Sequence, residues 1–189
     1  MKNINNITKI KMDGRGIEIE QKLTNILLTT NSSTTKLLEA ITGETVEINV
    51  LHQEITLKSE LCSKYTEYIV QLESSDKYLK RIVSLVNNGK VLSDNIVIGS
   101  YENISDKVKV ELIKGKIPLG KLIKNKETKR KLLWSGYLDK SFLNLHFDEQ
   151  KFLLSRYPAK MYLIYIGEVS CFCLLEVFHI DEITKFFLG

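Results

Sequence analysis

The chain has 189 residues, 43% hydrophobic and 26% charged, which is the composition of one folded domain and excludes a disordered segment. Its 27 Lys and Arg stand against 23 Asp and Glu, and this net charge of +4 is spread along the chain. No stretch forms the dense basic face, interleaved with aromatics, that nucleic-acid binding requires, and no uncharged apolar run is long enough to span a membrane.

Residues 1–16, rich in Asn and Lys, read as a solvated tail ahead of a single domain over residues 17–189. The tail lacks the apolar run of a signal peptide and the Ser/Arg character of an import sequence, so the chain is expected to work where it is made. Leu23, Ile26, Leu27 and Leu28 suit a short helix over residues 17–29. Asn31-Ser32-Ser33 offers capping side chains for a second helix, which carries Leu37, Leu38 and Ile41 and stops at Gly43. From Val46 the period changes to two, with Ile48 and Val50 alternating against Glu47 and Asn49 as in a half-buried strand. Residues 56–76 fit a helix through Leu61, Tyr65, Tyr68 and Ile69, or a strand over residues 68–72.

The next element is a β-hairpin, residues 78–86 and 90–98 around Asn87-Asn88-Gly89, a turn that needs positive φ. Residues 103–115 and 118–135 read as helices, the second opened by Pro118. The chain then turns β: residues 152–156, residues 160–166, a turn at Gly167-Glu168, and residues 169–179. Strands adjacent in sequence and joined by tight turns imply an α+β fold, an antiparallel sheet with helices packed on one face.

Glu176 is the most informative residue. It shares a strand face with Phe172, Leu174 and Phe178, while Cys171, Cys173, Leu175 and Val177 make the other face equally apolar. A strand apolar on both faces lies inside a sheet, and a carboxylate there must be paired, protonated or at a site. Arg81, in phase with Leu79, Val83 and Leu85, leaves from the face those side chains bury. It is either a carboxylate-binding guanidinium or an edge-strand Arg reaching for water. Arg156, in phase with Phe152 and Leu154, has the same two readings.

Cys171, Cys173 and His179 share one strand side, but structural zinc prefers paired spacings from two segments, and core cysteines are the simpler account. Three cysteines also suit a reducing compartment and no secreted disulfide framework. Asp13-Gly14-Arg15-Gly16 is not a phosphate loop, since no strand precedes it and no Gly-Lys-Ser/Thr follows. His52, His146 and His179 are scattered, and no nucleophile–base set is visible.

Three segments together resemble the chorismate lyase family. These are Leu27 to Glu39 with the strand that follows, the hairpin with Arg81 eight residues before Gly89, and Pro118-Leu119-Gly120 together with Glu176-Val177-Phe178. The resemblance implies a monomeric enzyme with an antiparallel sheet and a small buried pocket. It would remove pyruvate from chorismate to give 4-hydroxybenzoate, with no cofactor and no metal. It further implies that Arg81 binds the ring carboxylate, that Glu176 faces the ring hydroxyl, and that Thr34 and Leu119 offer backbone N–H groups. The sequence departs from bacterial lyases at Thr34, where a Met is common, at His179, where a Pro often stands, and in a longer stretch from Gly167 to Glu176. Its Asn-, Lys- and Ile-rich wording resembles a plastid-encoded branch of the family, which implies the plastid stroma; otherwise the cytoplasm is expected.

A different class of function fits the same fold, a small-molecule binding domain without catalysis, as in effector domains of bacterial transcription regulators. Only a short polar segment stands before Ile17, so no helix-turn-helix unit is expected ahead of the domain.

Overall fold

Helix α1 (Gly14–Thr29) and helix α2 (Thr34–Thr42) lead the computed structural model, which describes residues 14–123, 128–147 and 152–188. Helix α1 begins ahead of the expected Ile17, and residues 1–13 of the expected tail lie outside the described residues. Ser33 caps α2 by accepting from the Lys36 N–H. Gly43, at φ 72°, closes the helix with a left-handed turn that a side chain would disfavour.

Strand β1 (Glu47–Leu57) continues the alternation begun at Val46, and the ambiguous region beyond it is helical, a turn at Ser63–Tyr65 followed by α3 (Thr66–Ile69). Strands β2 (Lys77–Asn87) and β3 (Lys90–Ser100) form the expected hairpin, with Asn88 at φ 47° and Gly89 at φ 74° in its turn. Helix α4 (Asp106–Lys114) follows.

The expected helix over residues 118–135 requires correction. Among the described residues only α5 (Leu119–Leu122) is helical there, and β4 (Thr128–Asp139) is a strand. Its partner is β5 (Arg156–Ile166), paired from Thr128↔Ile166 to Asp139↔Arg156, and this long ladder overrides the helix propensity of Lys129 to Leu133. Lys129 and Lys131 are exposed on what is an edge strand. A helix, α6 (Lys140–Phe147), follows directly. The strand expected from Phe152 begins only at Arg156. Strand β6 (Val169–Phe178) and helix α7 (Ile180–Leu188), which was not expected, complete the described chain.

The six strands form one antiparallel sheet in the order β1-β2-β3-β6-β5-β4, so the fold is α+β. One face is covered by α1, α2, α4, α5 and α7. Leu27, Leu38, Leu85, Phe178 and Ile183 pack together at one end, and Val97, Leu112, Leu119, Ile164 and Phe172 at the other. Tyr65, Tyr68, Leu143 and Phe147 close the opposite face over Ile96, Leu175 and Val177. Burying β3 and β6 on both faces leaves their polar residues no route to water, which is why Asn95 and Glu176 must find partners in the protein. No helix among the described residues is long and apolar enough to cross a membrane.

Candidate ligand-binding site

Two adjacent transverse rows of the sheet place polar side chains on the five-helix face. One row runs Val83–Asn95–Glu176–Lys160 across β2, β3, β6 and β5, and the next runs Arg81–Val97–Leu174–Tyr162. Residues directly opposite each other share a face, so all eight side chains point toward α2 and α5. A cavity of about 40 Å³ lies there, and Arg81, Glu176, Thr34, Leu119, Tyr162 and Arg130 are among its walls. It is smaller than the roughly 150 Å³ that accommodates benzene in a dry core, so a ring-sized ligand must widen its mouth.

Arg81 is 1% exposed, and neither Nε nor Nη2 has a hydrogen-bond partner among the described residues. These two nitrogens form one straight edge of the guanidinium, the edge that grips both oxygens of a carboxylate. Burial without a counter-charge lowers the Arg81 pKa to about 10. An orphaned buried cation is costly to keep, and here it faces a cavity.

Glu176 stands at the other end, two strands and one row away from Arg81, which puts the two Cα atoms about 12 Å apart. Its Oε2 accepts from the Thr34 hydroxyl at 2.5 Å and its Oε1 from the Tyr162 hydroxyl at 2.8 Å. Lys160 Nζ lies 3.6 Å from Oε2 and also donates to the Leu27 and Thr30 carbonyls at 2.9 and 3.2 Å. Burial depresses the Lys160 pKa, the Glu176 carboxylate opposes that shift, and Arg130 adds to it. Tyr162 is held well above the ordinary phenol range, first by burial and then by the neighbouring carboxylate, so its hydroxyl stays a donor.

Helices α2 and α5 roof the cavity. A Lys121–Glu39 ion pair at 2.7 Å joins them. At Gly120 a Cβ would sit 3.0 Å from the Ser33 Oγ, so glycine lets α5 approach the α2 cap closely. Thr34 and Leu119 each open a helix, where backbone N–H groups lack intrahelical acceptors. The structure thus brings Arg81, Glu176, Thr34 and Leu119 to one cavity, and it adds a side-chain bond from Thr34 to Glu176 that a purely backbone role omits.

Arg156 does not join them. It is exposed, 3.3 Å from Asp139 and over the Tyr137 ring, because β5 starts at Arg156 and the phase with Phe152 has no strand beneath it. His179 bonds Asp94 at 2.7 Å and stacks on Phe152, on the same face as Cys173 but six residues further along the chain. The Cys171 and Cys173 thiols are buried, and burial pushes the Cys173 pKa up to about 12, far from a thiolate ligand. No group of three or more potential metal ligands exists among the described residues. Gly14 to Gly16 begin α1, His52 pairs with exposed Glu54, and His146 bonds the Phe142 carbonyl.

Sequence reasoning missed Lys160, Tyr162 and Arg130. The first two had a visible signal, a lysine alternating with Tyr162 and Ile164 in an otherwise apolar strand. Arg130 had none, because its segment read as helix.

The fold has relatives among solved structures. PhnF from Mycobacterium smegmatis aligns with a TM-score of 0.54 at 11% identity, over 81% of this chain and 66% of that one. The effector domain of PhnF aligns with a TM-score of 0.50 at 9% identity, over 79% of this chain and 90% of that one. At such identities the likeness is one of fold alone. No curated protein matches the sequence significantly. A family model spans residues 28–186, which includes every wall of the cavity named above. The chain belongs to the Rv2949c-like chorismate pyruvate-lyase family.

Proposed function

We propose that the chain removes pyruvate from chorismate and leaves 4-hydroxybenzoate, without a cofactor. The observation that carries this reading is Arg81, a buried guanidinium whose Nε–Nη2 edge is unpartnered and faces a cavity ending at Glu176. Family membership supports the reaction type. Arg81 grips the ring carboxylate, with the N–H groups of Thr34 and Leu119 beside it. Glu176 is fixed from the sides by Thr34 and Tyr162. A carboxylate oxygen can accept twice, so Oε1 keeps a place for the ring hydroxyl.

The chemistry needs little else. The bond from the ring to the enolpyruvyl oxygen breaks, the ring loses one hydrogen and becomes aromatic, and that hydrogen completes the methyl group of pyruvate. Atoms and electrons balance with no oxidant, reductant or water. The protein therefore acts by holding the reactive conformer and by fixing donors where charge collects. A plastid setting rests on the resemblance of the Asn-, Lys- and Ile-rich sequence to a plastid-encoded branch of the family.

A second reading is a domain that binds an aromatic carboxylate and leaves it unchanged. The fold likeness to the effector domain of PhnF favours it. Incubating the purified protein with chorismate separates the two. Pyruvate accumulates under the first reading and falls to background with Arg81→Met; under the second, native protein also leaves chorismate intact.

A further inference from the structure

The cavity holds more positive charge than one carboxylate accounts for. Lys160 and Glu176 lie 3.6 Å apart and offset each other. Arg81 and Arg130 remain as two cations on the cavity wall, and neither has an ion-pair partner among the described residues. A ligand with a single carboxylate can neutralise only one of them.

Arg130 is half-buried on the edge strand β4, where the cavity meets a second recess bounded by Asn31, Ser32, Lys160 and Tyr162. Its Nη1 reaches the Asn31 carbonyl at 3.4 Å, a long bond, and its other donors have no hydrogen-bond partner among the described residues. The guanidinium carbon lies 5.6 Å from the centre of the Tyr162 ring, whose hydroxyl holds Glu176. Arg130 therefore belongs to the Glu176 end of the cavity, opposite Arg81.

We infer that Arg130 anchors a second carboxylate, so that the site selects a ring dicarboxylate whose second acid group hangs from an ether oxygen beside the ring hydroxyl. This rests on the reading proposed above and deepens it by assigning the second anion. It also gives a direction to the cycle: the aromatic product lacks that group, so Arg130 favours substrate over product.

The test uses two stable aromatic acids, 3-(carboxymethoxy)-4-hydroxybenzoate and its neutral-ether counterpart 3-ethoxy-4-hydroxybenzoate, titrated calorimetrically into native protein, Arg130→Gln and Arg81→Met. Native protein should bind the diacid about tenfold or more tightly than the ethoxy acid, the scale of one charged hydrogen-bonded pair at a half-buried position. Arg130→Gln should erase that margin while binding the ethoxy acid as native protein does, which also verifies that the variant is folded. Arg81→Met should lose both acids. If Arg130→Gln binds the diacid as tightly as native protein while Arg81→Met loses both, the inference fails and the underlying reading stands. If Arg130→Gln loses both acids equally, Arg130 shapes the wall and the inference fails again. Native protein that binds neither acid contradicts both the inference and the reading beneath it.

Discussion

Lys160 and Glu176 sit side by side across the β5–β6 pair with Nζ 3.6 Å from Oε2, but they do not depend on each other equally. Lys160 has the Leu27 and Thr30 carbonyls behind it, whereas Glu176 has Lys160 as its only nearby cation within ion-pair distance among the described residues. Removing the lysine leaves a buried anion with two hydroxyl donors and no counter-charge. Removing the negative charge leaves a lysine that still has two acceptors.

Stability should therefore respond asymmetrically. Lys160→Met is expected to cost about 3–5 kcal/mol, the usual loss when one partner of a buried pair is deleted. Glu176→Gln keeps an acceptor for the hydroxyls and should cost about 1–2 kcal/mol, while turnover falls sharply. Urea unfolding of both variants measures this. Glu176→Gln proving the more damaging, with ligand affinity intact, would make Glu176 a scaffold residue.

Arg81 should behave in the opposite sense to an ordinary buried residue. Its Nε and Nη2 have no hydrogen-bond partner among the described residues, so Arg81→Met removes a desolvated charge and should leave the melting temperature unchanged or higher. Losing a charged, desolvated hydrogen-bonded contact costs about 2–5 kcal/mol of binding, so 4-hydroxybenzoate affinity should fall by a factor of about 30 to several thousand. Melting and titration on the same sample test both halves. Strong destabilisation with binding retained would point to a structural role.

Carboxylate binding should also carry the titration of Arg81. Only the protonated guanidinium grips the ligand, and burial has lowered its pKa to about 10. Affinity for benzoate, whose sole ionisation lies far below, is expected to be flat from about pH 6 to 9 and to decline above about pH 10. The bound carboxylate favours the charged form, so the complex should lose its proton at higher pH than the free protein. Affinity that stays level to about pH 11 in folded protein would show that another group holds the acid.

Much of this arrangement was written in local sequence. Asn88-Gly89 announced the hairpin, Ser33 and Gly43 bounded α2, and a charge in each of two apolar strands marked Arg81 and Glu176 as inward-facing. What escaped depended on partners distant in sequence. The segment from Lys129 to Leu133 is a strand only because β5 is there to pair with it, so Arg130 could not be placed at the cavity beforehand. Arg156 takes the solvent-reaching one of its two readings, since its apparent phase spanned residues 152–155, which are not strand. Thr34 was expected to matter through its backbone, and its hydroxyl bond to Glu176 joins residues 142 positions apart, beyond any local pattern.

The most direct measurement follows chorismate by proton NMR in the presence of purified, dialysed and exhaustively chelated protein. The account predicts pyruvate and 4-hydroxybenzoate in equal amounts, at a rate untouched by chelation and abolished by Arg81→Met. Chorismate that persists unchanged beside protein that still binds 4-hydroxybenzoate would contradict the lyase and leave a binding domain in its place.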